Sequence, residues 1–270
     1  MRLTRTMKSI YLRLAATVAT ICMSILAPRP ANAAECIATS SPHRVAVLEL
    51  YTSEGCDSCP SADRWVSELP ARKFSGDRVL PLAFHVDYWN QLGWIDAFSQ
   101  ASFSARQHEQ SKRRGVSFVV TPQLLLNGQD YRRSALFDDL DSRIRTINDS
   151  RAQADIRLKI NRSGSALVGT VEVSVAGDPA RRRAHVYLAL YEMNLVTAVG
   201  AGENKGKTLR HDFVVRSLIG PLGLDDNGNL SRVQRFDIDP RWKPQDVNLA
   251  VFVQHPQSGD VLQALSARCN

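Results

Sequence analysis

Val45-Ala-Val-Leu-Glu-Leu-Tyr51, then Gly55-Cys56-Asp57-Ser58-Cys59-Pro60, then the run from Ser61 to Phe74 carry the most structural information in this chain. The first segment is apolar throughout except at Glu49, the pattern of a parallel-sheet strand buried on both faces. The third sets Ala62, Trp65, Val66 and Leu69 at i, i+3, i+4 and i+7, which predicts a helix with one apolar stripe. The Cys-x-x-Cys segment therefore falls where a strand gives way to a helix. Working outward, Val79–His85 is a second strand, which Pro81 makes start late or lie near an edge. Ser99 to Arg114 predicts an inserted helix, and Phe118–Leu126 is a third apolar run, broken at Pro122. Asn127-Gly128 is a hairpin signal. Ser134 opens a last helix with Leu136, Leu140, Ile144 and Ile147.

From about residue 152 the pattern changes to short strands separated by Gly, Pro, Asn and Asp turns. Candidates are 156–160, 167–175, 185–191, 233–238, 247–254 and 261–265, a series that predicts an antiparallel sandwich. The expected organisation is a leader over 1–33, an α/β domain over 34–151, and a smaller antiparallel β-sandwich domain over 152–270.

The leader has Arg2, Arg5, Lys8 and Arg13, an apolar run from Leu14 to Ala27, then Pro28-Arg29-Pro30 and Ala31-Asn32-Ala33. This is the layout of a secretory signal peptide cut before Ala34. The apolar run is too short to span a bilayer. The expected location is the periplasm or outside the cell. The whole chain is 270 residues with a formal charge of +7. Removing the leader's five basic residues from the 34 leaves 29 against 27 acidic ones, so no strong basic excess remains for nucleic acid.

Export changes how the cysteines read, because disulfides persist in oxidising compartments. Without Cys22, four remain: Cys36, Cys56, Cys59 and Cys269. Cys56 and Cys59 can pair across one turn, which leaves Cys36 and Cys269 either to bridge the two ends or to remain free thiols. At a helix N-terminus Cys56 would be the exposed nucleophile, its thiolate favoured by unpaired N–H groups, and Cys59 would resolve the mixed disulfide. Asp57 opposes a second negative charge there. Half of a zinc site, an inert structural disulfide and a haem-attachment site are the competing readings; the last needs His where Pro60 stands.

The order strand, Cys-x-x-Cys, helix, strand, Thr-Pro, Asn-Gly resembles the thioredoxin superfamily, implying a thioredoxin-like first domain with an inserted helix. The resemblance implies that Thr121-Pro122 is a cis-proline pair facing the dithiol and holding substrate backbone. More closely, Glu49–Asp63, Phe84–Trp89, Leu92-Gly-Trp94, Thr121-Pro-Gln123 and Val214-Val-Arg216 resemble an exported bacterial family, the domain of unknown function 1223.

Glu49 shares a strand face with Val45, Val47 and Tyr51, where a carboxylate is desolvated. The thioredoxin resemblance implies a proton acceptor for the resolving cysteine; the alternative is a hydrogen-bonded structural residue. His85 and Asp87 would point the same way at the end of the second strand, placing His85 as a base. Tyr88, Trp89 and Trp94 form a packing cluster or the wall of a substrate groove. Ala201–Thr208 resembles a phosphate loop but lacks the strand-to-helix setting.

The sequence thus predicts a periplasmic thiol–disulfide oxidoreductase, without a cofactor, acting on protein or small-molecule thiols with a redox partner. Cys56, Cys59, Glu49 and His85 would be catalytic; Thr121, Pro122 and Trp89 would bind substrate; Cys36–Cys269 would be structural. The alternatives are copper(I) handling by the two cysteines and His85, and a non-catalytic binding module.

Overall fold

The computed structural model describes residues 35–132, 139–177 and 183–267. The leader, Cys22, the start expected for the last helix at Ser134, and Cys269 lie outside the described residues. The chain begins with β1 (Glu35–Thr39) and β2 (Ala46–Thr52). Helix α1 (Cys59–Ser67) starts at the second cysteine, with Ser58 as N-cap and Pro60 in the first turn, where a missing N–H costs nothing. There follow β3 (Val79–His85), α2 (Ala101–Arg113), β4 (Gln123–Leu126), β5 (Gln129–Asp130) and α3 (Leu140–Asn148). The remainder is β6 (Asp155–Ser163), β7 (Ala166–Ser174), β8 (His185–Glu192), β9 (Leu195–Ala198) and β10 (Thr208–His211). Last come β11 (Val214–Leu222), β12 (Asn229–Asp237), β13 (Val247–Gln254) and β14 (Val261–Ala267).

Eight of these strands form one mixed sheet in the order β14-β13-β8-β11-β3-β2-β4-β5. Four more, β1-β6-β7-β12, form a second sheet, and β9 pairs with β10. The fold class expected from the sequence is corrected here. The described residues are mostly β, not a thioredoxin-like α/β domain followed by a separate sandwich. Strands from both sides of residue 151 share the large sheet, and the described residues belong to one compact unit.

The junction is β11, which lies parallel to β3 through Val214 and Ala83 and antiparallel to β8. Ala83 N–H donates to the Phe213 carbonyl at 2.8 Å. Backbone N–H directions alternate along a strand, so Pro81 lacks its donor on the side facing β11, before that pairing begins. A proline is thus tolerated in a strand at the middle of the sheet.

Side-chain alternation shows how one sheet serves two cores. In β8, Tyr187, Ala189 and Tyr191 pack with the residues of β2, β3 and the helices, while Val186, Leu188 and Leu190 pack with β6 and β7. Strand β13 divides likewise, with Ala250 and Phe252 on one side and Leu249 and Val251 on the other. A sandwich therefore exists, but one of its layers is the continuation of the first half's sheet. The Asn127-Gly128 hairpin forms as expected between β4 and β5, with positive φ at both residues. No helix among the described residues is long and apolar enough to cross a membrane.

Candidate functional site

Cys56 and Cys59 are joined by a disulfide at the N-terminus of α1. The loop that carries them is held by backbone bonds from Cys56 N–H to the Ser53 carbonyl and from Cys59 N–H to the Cys56 carbonyl. The Cys56 sulfur lies 3.3 Å from the Ser58 hydroxyl and 3.9 Å from the Thr121 carbonyl oxygen. Thr121-Pro122 is a cis peptide, and Trp89 Nε1 donates to Thr121 Oγ1 at 2.7 Å. The structure thus brings together Cys56, Cys59, Thr121, Pro122 and Trp89.

The expectation of an exposed Cys56 is corrected: both cysteines are fully buried. The loop between β9 and β10 is tied to them. Asn204 Nδ2 donates to the carbonyls of Glu54 and Cys56, each at 2.8 Å, and Asp57 N–H donates to Glu203 Oε2 at 3.0 Å. This is the phosphate-loop-like segment. It joins two antiparallel strands, and its asparagine binds backbone carbonyls.

Glu49 does not join the cysteines. Strand β2 alternates, so Thr52 faces α1, where its hydroxyl donates to Asp63, while Glu49 faces the opposite side and α2. There it accepts from Arg106 Nε at 2.9 Å and Nη2 at 2.8 Å, and from the Tyr51 hydroxyl at 2.7 Å. The geometry is that of a structural, fully paired carboxylate. Arg106 lies over the rings of Phe84, Tyr187 and Phe252. Burial favours its neutral form, but Glu49 more than offsets this and holds the guanidinium charged.

His85 is on the α1 side but is committed to another group. Its Nδ1 lies 2.6 Å from Asp96 Oδ2, which also accepts from Glu54 N–H. Burial raises Asp96, and the imidazole and two backbone N–H groups outweigh it, leaving the carboxyl below its usual range. The residues whose ligating atoms lie near His85 are Asp63 and His211, not the two sulfurs. Burial lowers the His211 imidazole, but the carboxylates of Asp63 and Glu54 push it up to about 10. Asp63, Glu54, Asp96 and His211 were not singled out from sequence. Asp63 is four residues after Cys59, the spacing that puts both on one helix face, and was legible in principle; His211 comes from a distant strand and was not.

Cys36 is disulfide-bonded, and Cys269 lies outside the described residues. Beside Pro122 runs an open groove of about 1400 Å3 lined by Ser61, Ala62, Val120, Leu124, Tyr131 and neighbouring residues. Phe118, on its rim, is 63% exposed.

A family model described as protein of unknown function DUF1223 matches residues 47–254. The chain belongs to that family. A crystallised protein of Agrobacterium tumefaciens is 23% identical, with a TM-score of 0.61, over 85% of this chain and 97% of that one. HBP35 of Porphyromonas gingivalis is 16% identical, with a TM-score of 0.63, over 85% of this chain and 76% of that one. At such identities the DUF1223 chain shares a fold with them and no more. No curated protein matches.

Proposed function

We propose that this DUF1223 protein carries out thiol–disulfide exchange at Cys56–Cys59 in an exported compartment. The observation that carries the reading is the disulfide itself, placed at a helix N-terminus beside a groove and the Thr121 carbonyl. A bridge between residues three apart restrains little of the unfolded chain, so it is a weak choice for a staple. The basic-then-apolar leader supports the setting.

In the exchange a partner thiolate attacks the Cys56 sulfur. The S–S bond breaks, a mixed disulfide forms, and Cys59 leaves as a thiolate with the electron pair. A second partner thiolate attacks the partner's sulfur in that mixed disulfide and releases Cys56 as a thiolate. The partner pair is oxidised by two electrons, and the cysteine pair is reduced by two. Ser58 Oγ, 3.3 Å from the Cys56 sulfur, can donate to the thiolate formed there. The groove along Pro122, with its apolar rim, would take the partner chain. Because both sulfurs are buried, attack requires the β9–β10 loop to move.

The test is equilibration of purified protein, freed of metal, in graded glutathione buffers, with thiol trapping and mass measurement of the Cys56–Cys59 state. A reversible transition lost in Cys56→Ser is expected. A pair that remains oxidised across the whole series overturns the reading.

A further inference from the structure

On the α1 side of the large sheet the chain buries two imidazoles and three carboxylates in one cluster: His85, His211, Asp63, Glu54 and Asp96. One ligating atom each of Asp63, His85 and His211 lies within 4.8 Å of the other two. Each of the three is backed by a further polar group. Asp96 holds His85 Nδ1 at 2.6 Å, Thr52 donates to Asp63 Oδ2 at 3.0 Å, and Glu54 Oε1 lies 3.2 Å from His211 Nε2.

With Nδ1 engaged by Asp96, His85 is left with Nε2, which is fully buried and has no hydrogen-bond partner among the described residues. Both nitrogens of His211 are also buried, and each faces a carboxylate: Glu54 Oε1 lies 3.2 Å from Nε2 and Asp63 Oδ1 3.9 Å from Nδ1. Native chains rarely leave an atom like His85 Nε2 unpaired, because it costs the desolvation of a polar group without repayment. A carboxylate behind each imidazole is the outer arrangement that fixes the tautomer and orientation of a metal-ligating histidine. Phe98 packs edge-on against both rings, with centroids 5.2 Å from His85 and 5.8 Å from His211.

We propose that Asp63, His85 and His211 bind one divalent transition-metal cation of the zinc class. Two imidazole nitrogens and a carboxylate suit zinc, cobalt or ferrous iron; calcium and magnesium prefer oxygen ligands, and copper(I) prefers sulfur. Three protein ligands leave a fourth position for a water or a small ligand. The cation would offset the buried carboxylates in place of the proton that His211 otherwise holds, because a ligating imidazole is neutral. The site uses neither cysteine and is independent of the exchange proposed above.

The test keeps the Cys56–Cys59 disulfide intact, verified by resistance to alkylation, so that thiolates cannot supply the ligands. Zinc(II) and cobalt(II) are added to metal-stripped protein, both to the native form and during refolding. Binding is read by native mass and by the visible absorption of cobalt. One cation per chain is expected by either route. His211→Gln and His85→Gln should each weaken binding at least 100-fold, with far-ultraviolet dichroism unchanged. Asp96→Asn leaves the ligands in place and should weaken binding about 10- to 100-fold. Wild-type protein that takes up neither ion, or uptake that survives both histidine substitutions, overturns the proposal. If either histidine variant fails to fold, the comparison with Asp96→Asn decides: undiminished binding in that variant also overturns it.

Discussion

Glu49 is a charged residue in the centre of a strand, yet every contact it makes is structural. Removing one member of a buried ion pair strands the other, at a cost of about 3–5 kcal/mol. Glu49→Ala should lower stability by that amount in urea unfolding, because Arg106 would be left charged among Phe84, Tyr187 and Phe252. The same variant should leave the glutathione equilibrium of the cysteine pair unchanged. Asp130 offers a milder case at the groove. Burial raises its carboxyl, but hydrogen bonds from Arg132, Gln123 and Arg114 outweigh this and hold it below the ordinary aspartate value. The folded form therefore gains stability from Asp130 that is complete above that value and is lost as pH falls through the lower folded one. Asp130→Asn should lower stability at neutral pH and flatten the acid side of the profile, the variant and wild type converging below about pH 4; an unchanged acid limb would contradict the assignment.

At the scale of elements, the β9–β10 loop is tied directly to the backbone that carries the cysteines. Asn204 supplies two hydrogen bonds to the cysteine loop, each with a net worth of about 1 kcal/mol. If loop opening limits attack, Asn204→Ala should speed reduction of Cys56–Cys59 by dithiothreitol about 5- to 30-fold. Stopped-flow trapping of Cys56 measures the rate, and a rate equal to wild type would show that the loop is not the gate.

Much at this scale was legible in the sequence. Period-3.6 spacing located α1, an unbroken apolar run located β2, and Asn127-Gly128 located its hairpin. Local patterns of that kind depend on neighbours a few residues away. The alternation that put Glu49 with Val47 and Tyr51 was equally local and correct. Its partner, Arg106, belongs to a different element, and no spacing rule links them. His211 escaped for the same reason. So did β11: Val214-Val-Arg216 stood out as a motif, but nothing local says that this segment will lie beside β3.

For the whole molecule, that one pairing determines the architecture. A change in strand pattern near residue 152 suggested a domain boundary, because one long mixed sheet and two shorter sheets produce similar local text. The structure predicts that residues 35–151 expressed alone will not fold cooperatively. β3 would lose β11, and the face of α2 that packs toward Tyr187 and Phe252 would be bare. Thermal unfolding of the fragment should show no sharp transition, whereas the full chain should melt in one step; a fragment with its own sharp melt would restore the boundary.

The position of β11 also sets a timetable for synthesis. Chains emerge at about 5–20 residues per second. For about 6 to 26 seconds after β3 is made, the strand that will lie beside it has not yet been translated. Throughout that interval β2 and β3, apolar apart from Glu49, Thr52 and His85, present an unfinished edge able to pair with another chain. The nascent protein therefore depends on being kept apart from its own copies until its last third is complete, and a prematurely terminated message would yield an adhesive product rather than a smaller working one.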